Sequence, residues 1–189
     1  PEDQLVMIEQ YRHGSNTVEL EIPGGIMDAH ESSPIETGVR ELREDALGFS
    51  RDLWQAMGEL GWLGIVVPEQ YGGAGLGWAD LAVVMEEAGR GLLPEPIVGS
   101  VLLATTAILL GGTDPQKRAH LPPLVAGERL GALAYQEATS RYDATHVTTR
   151  AERAGSGWTL TGEKIQVLDG HVADWLIVSA RTAGAIGDP

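Results

Sequence analysis

Hydrophobic and polar residues recur with a different period in each of three parts of the chain. In the first part, residues 5–8 and 17–22 have the composition of strands, with a polar turn cluster between them. Residues 34–46 then follow a helical period behind a serine cap and a first-turn proline. Residues 1–47 are therefore predicted to form a short β-hairpin, a loop and a helix.

The second part, residues 48–128, has the period of a helical bundle. Ser50 is the predicted cap of its first helix. That helix is predicted to carry an apolar stripe beside a tryptophan, formed by Leu53, Met57 and Leu60.

Glycines and prolines divide the rest of this bundle. Residues 61–77 are glycine-rich and are predicted to form a shaped loop. Residues 98–110 are apolar nearly all round, which is typical of a buried helix. A last helix is predicted to start near Thr113 and to be broken at Pro122-Pro123, before Gly127.

In the third part, residues 129–189, the period changes to two. The strand candidates are residues 130–135, 146–152, 157–160, 164–168 and 175–180. Gly155-Ser156 is the predicted turn of a hairpin. The fold class is therefore predicted to be α+β: a hairpin, loop and helix, then an all-α bundle, then an incomplete antiparallel β domain.

Composition narrows the classes of function. The 13 lysines and arginines against 27 aspartates and glutamates give a net charge of −14, which disfavours a nucleic-acid partner. The chain has no cysteine, so thiolate chemistry and disulfides are excluded. No apolar run is long enough for a membrane span and no secretory signal is visible, so we expect a cytoplasmic protein.

Three carboxylates lie on one face of the first predicted helix. Glu41, Glu44 and Asp45 are three or four residues apart, so their side chains can converge. Such oxygen ligands suit a hard divalent cation, magnesium or manganese. The alternative is a solvated acidic face that is neutralised by Arg40 and Arg43.

Residues 4–45 resemble part of a Nudix hydrolase. Gly25 and Glu31 are separated by five residues, and Arg40-Glu41-Leu42-Arg43-Glu44-Asp45 follows after eight more. The flanking segments are similar to those of ADP-ribose pyrophosphatases. The resemblance implies a magnesium-dependent hydrolase of nucleoside diphosphates. It also implies roles for four residues: Arg12 on the substrate phosphate, Glu44 in catalysis, and Glu41, Glu44 and Asp45 on the metal.

Residues 49–182 resemble a different family. They are similar to the N-terminal helical domain and the early middle domain of acyl-CoA dehydrogenases. The segments that carry the resemblance are residues 60–65, 67–75, 157–164 and 170–175. Residues 140–143 and 167–170 are most similar to divergent members that resemble the small subunit of pimeloyl-CoA dehydrogenase.

This second resemblance implies a flavin cofactor, FAD. In the family the flavin lies against two segments, which correspond here to residues 135–138 and 164–168. Main-chain contacts would survive side-chain substitution, so the implied cofactor-binding residues are Tyr135, Gln136, Gln166, Val167 and Leu168. Gln166 and Leu168 stand where the family has a tryptophan and a hydroxyl residue.

The same resemblance implies an acyl-CoA thioester as substrate and a homo- or hetero-oligomer with dehydrogenase subunits. In these enzymes a carboxylate removes the α-proton while the flavin accepts the β-hydride. That base belongs to a C-terminal helical domain outside the matched region, so we expect no dehydrogenation by these residues alone. We interpret the two resemblances as a fusion of a partial Nudix segment to a dehydrogenase front half. A non-catalytic helical interaction module is the third alternative.

Overall fold

The computed structural model describes residues 6–9, 48–140 and 143–186, the first of these by backbone only. The predicted strand 17–22 and the predicted helix 34–46 lie outside the described residues. The same is true of Arg12, Glu41, Glu44 and Asp45, so their predicted roles stay predictions.

The middle of the chain is helical, as the period indicates. Its α-helices are α1 (Arg51–Glu59), α2 (Trp78–Arg90), α3 (Thr105–Gly111) and α4 (Asp114–Val125). A π-helix, Ile97–Ala104, runs directly into α3, and 3₁₀ turns at Trp62–Gly64 and Glu69–Tyr71 shape the glycine-rich loop. The predicted helical part is therefore confirmed.

Helix α1 begins at the predicted cap but buries a different face. The Ser50 hydroxyl accepts a hydrogen bond from the Leu53 amide at 3.3 Å. Trp54 and Met57 are buried, whereas Leu53 and Leu60 are exposed. The predicted stripe is therefore wrong apart from Met57, because the tryptophan, rather than the two leucines, is packed into the core.

The apolar segment 98–110 contains two helical forms rather than one helix. Val101, Ala104 and Ile108 are buried, as predicted, while the segment's ends at Val98 and Leu110 are exposed. The change from π- to α-helix comes at Thr105, whose amide and hydroxyl both donate to the Ser100 carbonyl. A π-helix of this length is uncommon, and such segments often lie at functional sites.

Helix α4 continues through Pro122 and Pro123, so the predicted break there is wrong. Proline removes an amide donor, but the carbonyls of both prolines still accept, from the amides of Ala126 and Glu128 respectively. The buried side chains of the last turn keep it packed. Gly127, with φ of 71°, ends the helix where the sequence predicts.

The strands form two small sheets. Strands β1 (Val6–Glu9), β2 (Gly131–Ala134) and β5 (Trp175–Val178) form a three-stranded sheet in the order β1-β5-β2. Strands β3 (Arg150–Ala154) and β4 (Gly157–Thr161) form the hairpin predicted around Gly155-Ser156.

The prediction of an antiparallel domain holds only in part. β2 and β5 are parallel, with Ala132 opposite Leu176. The reason is that the long connection between them, which carries the hairpin, returns the chain to the end of the sheet where β2 began.

Two of the strand predictions are wrong, one over its whole length and the other over its first four residues. Residues 164–168 form an irregular segment, since Gln166 and nearby Asp169 have φ of 52° and 57°, values incompatible with a strand. The strand predicted at 146–152 begins only at Arg150. Before that point, Thr148 and Thr149 use their amides on the carboxylate of Glu137 instead of on a ladder.

The helices and the larger sheet share their core. One cluster joins Trp54 and Met57 of α1 to Leu130 and Val172. A second cluster joins helical residues such as Ile108 to Trp175 and Ile177 of strand β5. No helix within the described ranges is long and apolar enough to cross a membrane.

Candidate functional site

The two segments predicted to face a cofactor lie side by side. Residues 135–138 leave the end of β2, and the irregular segment 164–168 runs beside them. The Ile165 amide donates to the Gln136 carbonyl at 2.9 Å, and the Gln136 side-chain amide donates to the Tyr135 hydroxyl at 3.2 Å. The structure thus brings together residues that are about 30 positions apart in the sequence.

This pair of segments combines backbone amides that have no protein acceptor among the described residues with exposed side chains. The amides of Gln136, Gln166, Val167 and Leu168 donate to no protein acceptor within the described part of the chain. Tyr135, Gln166 and Leu168 are exposed. A row of amides beside apolar and aromatic side chains fits the edge of a flat heterocycle whose ring nitrogens and carbonyls accept hydrogen bonds. The residues present are therefore suited to a flavin.

A buried ion pair joins the two segments from beneath. The Lys164 ammonium lies 2.7 Å from Oε1 of Glu137, and the two side chains are 8% and 2% exposed. The same ammonium donates to the Ser179 hydroxyl at 2.9 Å and reaches the Tyr135 carbonyl at 3.4 Å. Its three N–H donors are all directed at protein oxygens.

The carboxylate of Glu137 is saturated with hydrogen bonds. Oε1 accepts from the Thr149 amide at 2.9 Å and from its hydroxyl at 2.7 Å, and Oε2 accepts from the amide and hydroxyl of Thr148. Burial alone would raise the pKa of this group. The hydrogen bonds from Lys164, Thr148 and Thr149 outweigh burial and hold the pKa far below its ordinary value of 4.5.

The turn that follows the second segment packs on the π-helix. Asp169 accepts a hydrogen bond from the Gly99 amide, 3.2 Å from Oδ2. Burial raises the pKa of Asp169, and the Gly99 amide and the charge of His171 oppose that rise without cancelling it. The irregular segment is therefore held at one end by Lys164 and just past its other end by Asp169.

Sequence reasoning missed the residues that hold the two segments. The resemblance draws attention to the exposed positions, while the supporting residues are Glu137, Lys164, Asp169, Ser179 and the pair Thr148-Thr149. The available signal was weak: an acid one residue after Gln136 and a lysine two residues before Gln166. The threonines and Ser179 carry no pattern of their own.

The described residues offer no metal centre. No group of three or more histidines, aspartates or glutamates within them could hold an ion. The predicted ligands Glu41, Glu44 and Asp45 are not among the described residues, so this finding does not bear on them.

Comparison with known proteins agrees with the helical part of the fold. Residues 32–128, half of the chain, match the family described as "Acyl-CoA dehydrogenase, N-terminal domain". The chain therefore belongs to the acyl-CoA dehydrogenase family. The match includes residues 32–47, which the predicted boundary at residue 47 assigns to a Nudix-like segment.

Individual relatives extend the similarity past the helices. Mitochondrial isovaleryl-CoA dehydrogenase of Pongo abelii is 38% identical over 134 residues, which are 70% of this chain and 32% of that protein. The chain thus spans about a third of the length of the curated relatives it matches.

Solved structures share the fold. An acyl-CoA dehydrogenase from Bacillus anthracis, complexed with FAD, is 33% identical with a TM-score of 0.67, over 80% of this chain and 26% of its own. The ChsE4-ChsE5 complex from Mycobacterium tuberculosis is 27% identical with a TM-score of 0.64, over 82% of this chain and 45% of its own.

Proposed function

We propose that this chain is the front part of a flavin-dependent acyl-CoA dehydrogenase-like oxidoreductase and that it holds FAD against residues 135–136 and 166–168. The observation that carries the proposal is the row of unused amides at Gln136 and at 166–168, on two segments bonded to each other. The relative of known structure that is complexed with FAD supports the choice of cofactor. When bound, FAD supplies the acceptor for a hydride.

The chain's own residues bind and orient rather than transfer protons. The amides of Gln136, Gln166, Val167 and Leu168 donate to the cofactor, and the exposed Tyr135 and Leu168 supply contact area. Left-handed backbone at Gln166 costs about 1 kcal/mol for a non-glycine residue, which is consistent with a binding segment.

The substrate proposed is an acyl-CoA thioester, and its dehydrogenation needs a base that these residues do not provide. Glu137 is an acid within the paired segments, but its oxygens are occupied and its pKa is low. A general base needs a pKa nearer the working pH and a free lone pair. Dehydrogenation is therefore proposed for the complete enzyme only, with partner subunits of the same family.

Two finer assignments and one alternative belong to the proposal. The likeness to members that resemble the small subunit of pimeloyl-CoA dehydrogenase and the cytoplasmic location rest on sequence alone. The magnesium-dependent Nudix activity through Glu41, Glu44 and Asp45, with Arg12 on phosphate, is kept as the alternative. The family match beginning at residue 32 includes those three carboxylates and so favours the dehydrogenase interpretation.

A flavin titration tests the proposal. We expect the purified chain to quench FAD fluorescence and to perturb the visible flavin spectrum. Leu168→Glu, which places a charge beside the unused amides, should abolish this binding, whereas Leu110→Glu, at an exposed leucine of helix α3, should not. Absence of binding by the wild-type chain would overturn the proposal. Release of AMP from ADP-ribose with magnesium, lost in Glu44→Gln, would instead establish the alternative.

A further inference from the structure

The ion pair between Glu137 and Lys164 differs from the surface pairs of this protein. The Arg90–Glu86 and Arg118–Asp114 pairs are more than half exposed, and such pairs contribute little. The Glu137 and Lys164 side chains are almost completely buried, and desolvating both charges is costly. That cost is offset by hydrogen bonds from Thr148 and Thr149 to Glu137 and from Lys164 to Ser179.

The partners of the pair come from every segment around the candidate site. Lys164 contacts the turn after β2, through Glu137 and the Tyr135 carbonyl, and the residue after β5, Ser179. Glu137 contacts Thr148 and Thr149, which lead into β3. The two charges thus tie together four stretches of chain that have no common strand ladder at this point.

Both members of the pair lie within two residues of an unused amide. Glu137 follows Gln136 directly, and Lys164 precedes Gln166 by two residues. The Ile165 amide donates to the Gln136 carbonyl at 2.9 Å, and this hydrogen bond reports how the two segments are aligned. A shift of either charged side chain would move the amides that it supports.

We propose that Glu137 and Lys164 are a positioning pair, which sets the register of segments 135–138 and 164–168 and thereby aligns their unused amides on a flavin. This inference rests on the proposed function for its ligand. Neither residue touches the cofactor-facing surface, so their effect is exerted through the backbone.

The main alternative is a pair that only stabilises the fold. The two cases differ in the double variant Glu137→Gln/Lys164→Met, which removes both buried charges. For a purely stabilising pair, the double variant should regain part of the stability and all of the affinity that Lys164→Met loses, because it leaves no unpaired buried charge; the glutamine side chain still leaves one threonine amide without an acceptor. For a positioning pair, the melting temperature should recover to the same partial extent but flavin affinity should not, since the register is no longer imposed.

The experiment compares three variants with the wild-type chain: Lys164→Met, the double variant and Ile108→Ala. Ile108 is buried among helices in the second core cluster, so its truncation is a matched control for lost stability. Three quantities are measured: the melting temperature, the Kd for FAD by fluorescence quenching, and hydrogen exchange at the Ile165 amide without flavin. We expect Lys164→Met and the double variant to bind FAD about tenfold more weakly and to expose Ile165. Ile108→Ala should do neither.

Two results would overturn the positioning role, and a third would overturn the proposed function. Wild-type affinity and Ile165 protection in the double variant would overturn the positioning role. Equal loss of affinity in Ile108→Ala at the same loss of melting temperature would overturn it too. Failure of the wild-type chain to bind FAD overturns the proposed function and the cofactor role of the pair. Exchange at Ile165 would then still show whether the pair sets the register.

Discussion

The carboxylate of Asp169 accepts a hydrogen bond from the backbone amide of Gly99 at 3.2 Å. This contact joins the turn after segment 164–168 to the π-helix of the helical part. The approach is close: a Cβ atom at position 99 would stand 2.3 Å from Oδ2 of Asp169 and 3.0 Å from the Leu168 carbonyl. The contact therefore depends on a glycine at position 99.

Gly99→Ala should destabilise the protein and move the turn. Because the obstructing atoms include the Leu168 backbone, the clash cannot be relieved by a side-chain rotation alone. We expect a loss of about 1–3 kcal/mol in the free energy of unfolding, typical of overpacking. Gly89→Ala is the matched control, since nothing lies within 4 Å of a Cβ there and Gly89 is in the last turn of helix α2. It should stabilise by about 0.5–1 kcal/mol. Urea denaturation of both variants checks the opposite signs.

Asp169→Asn should stabilise the protein at neutral pH. Burial raises the pKa of Asp169, so the folded state binds this proton more tightly than the unfolded state. Its contribution to stability therefore falls as the pH rises past the ordinary value of 3.8 towards the folded pKa. Asparagine has no charge to desolvate, tolerates the φ of 57°, and can still accept from the Gly99 amide.

Stability measured between pH 3 and pH 7 checks this expectation for Asp169. The advantage of Asp169→Asn over the wild-type chain should grow with pH and then level off. A constant difference, or a variant that is less stable at pH 7, would contradict it.

The parts of the fold that sequence could predict are those with local signals. The Ser50 cap and the Gly155-Ser156 turn both lie where the residues indicate, because capping and hairpin turns depend on a few neighbouring residues. The parallel pairing of β2 with β5 joins residues more than 40 positions apart and has no such signal. Helix α4 passes its two prolines because the packing of Leu121 and Leu124 outweighs local preference.

In the candidate site, too, some features can be predicted from the sequence and others depend on distant residues. The candidate residues of the two segments come from the family resemblance, and the Ile165–Gln136 hydrogen bond shows that the two segments are adjacent. The irregular form of 164–168 was not predictable, because it is imposed by partners distant in sequence. Lys164 is bonded to Glu137, and Asp169 to Gly99, at separations of 27 and 70 residues.

Glu137→Gln should make the free energy of unfolding less dependent on pH below pH 4.5. The pKa of Glu137 is depressed in the folded state, so its contribution is complete above the ordinary value of 4.5 and is lost as the pH falls below it. At pH 7 the variant leaves Lys164 without its buried counter-ion, a loss of about 3–5 kcal/mol. The deficit relative to wild type should therefore shrink between pH 4.5 and pH 3, as followed by urea denaturation. A deficit independent of pH would contradict the linkage.

Leu92→Asn should stabilise the protein although it removes an apolar side chain. Leu92 has φ of 49° just after helix α2 and is 86% exposed, so it has backbone strain and almost no packing to lose. Asparagine adopts left-handed backbone at lower cost, and about 0.5–1 kcal/mol should be gained. The control is Leu110→Asn, at a leucine 83% exposed but within helix α3, where asparagine is a poorer helix former than leucine. The two melting temperatures should move in opposite directions, and a shared direction would show that solvent exposure, rather than the backbone conformation at Leu92, decides the effect.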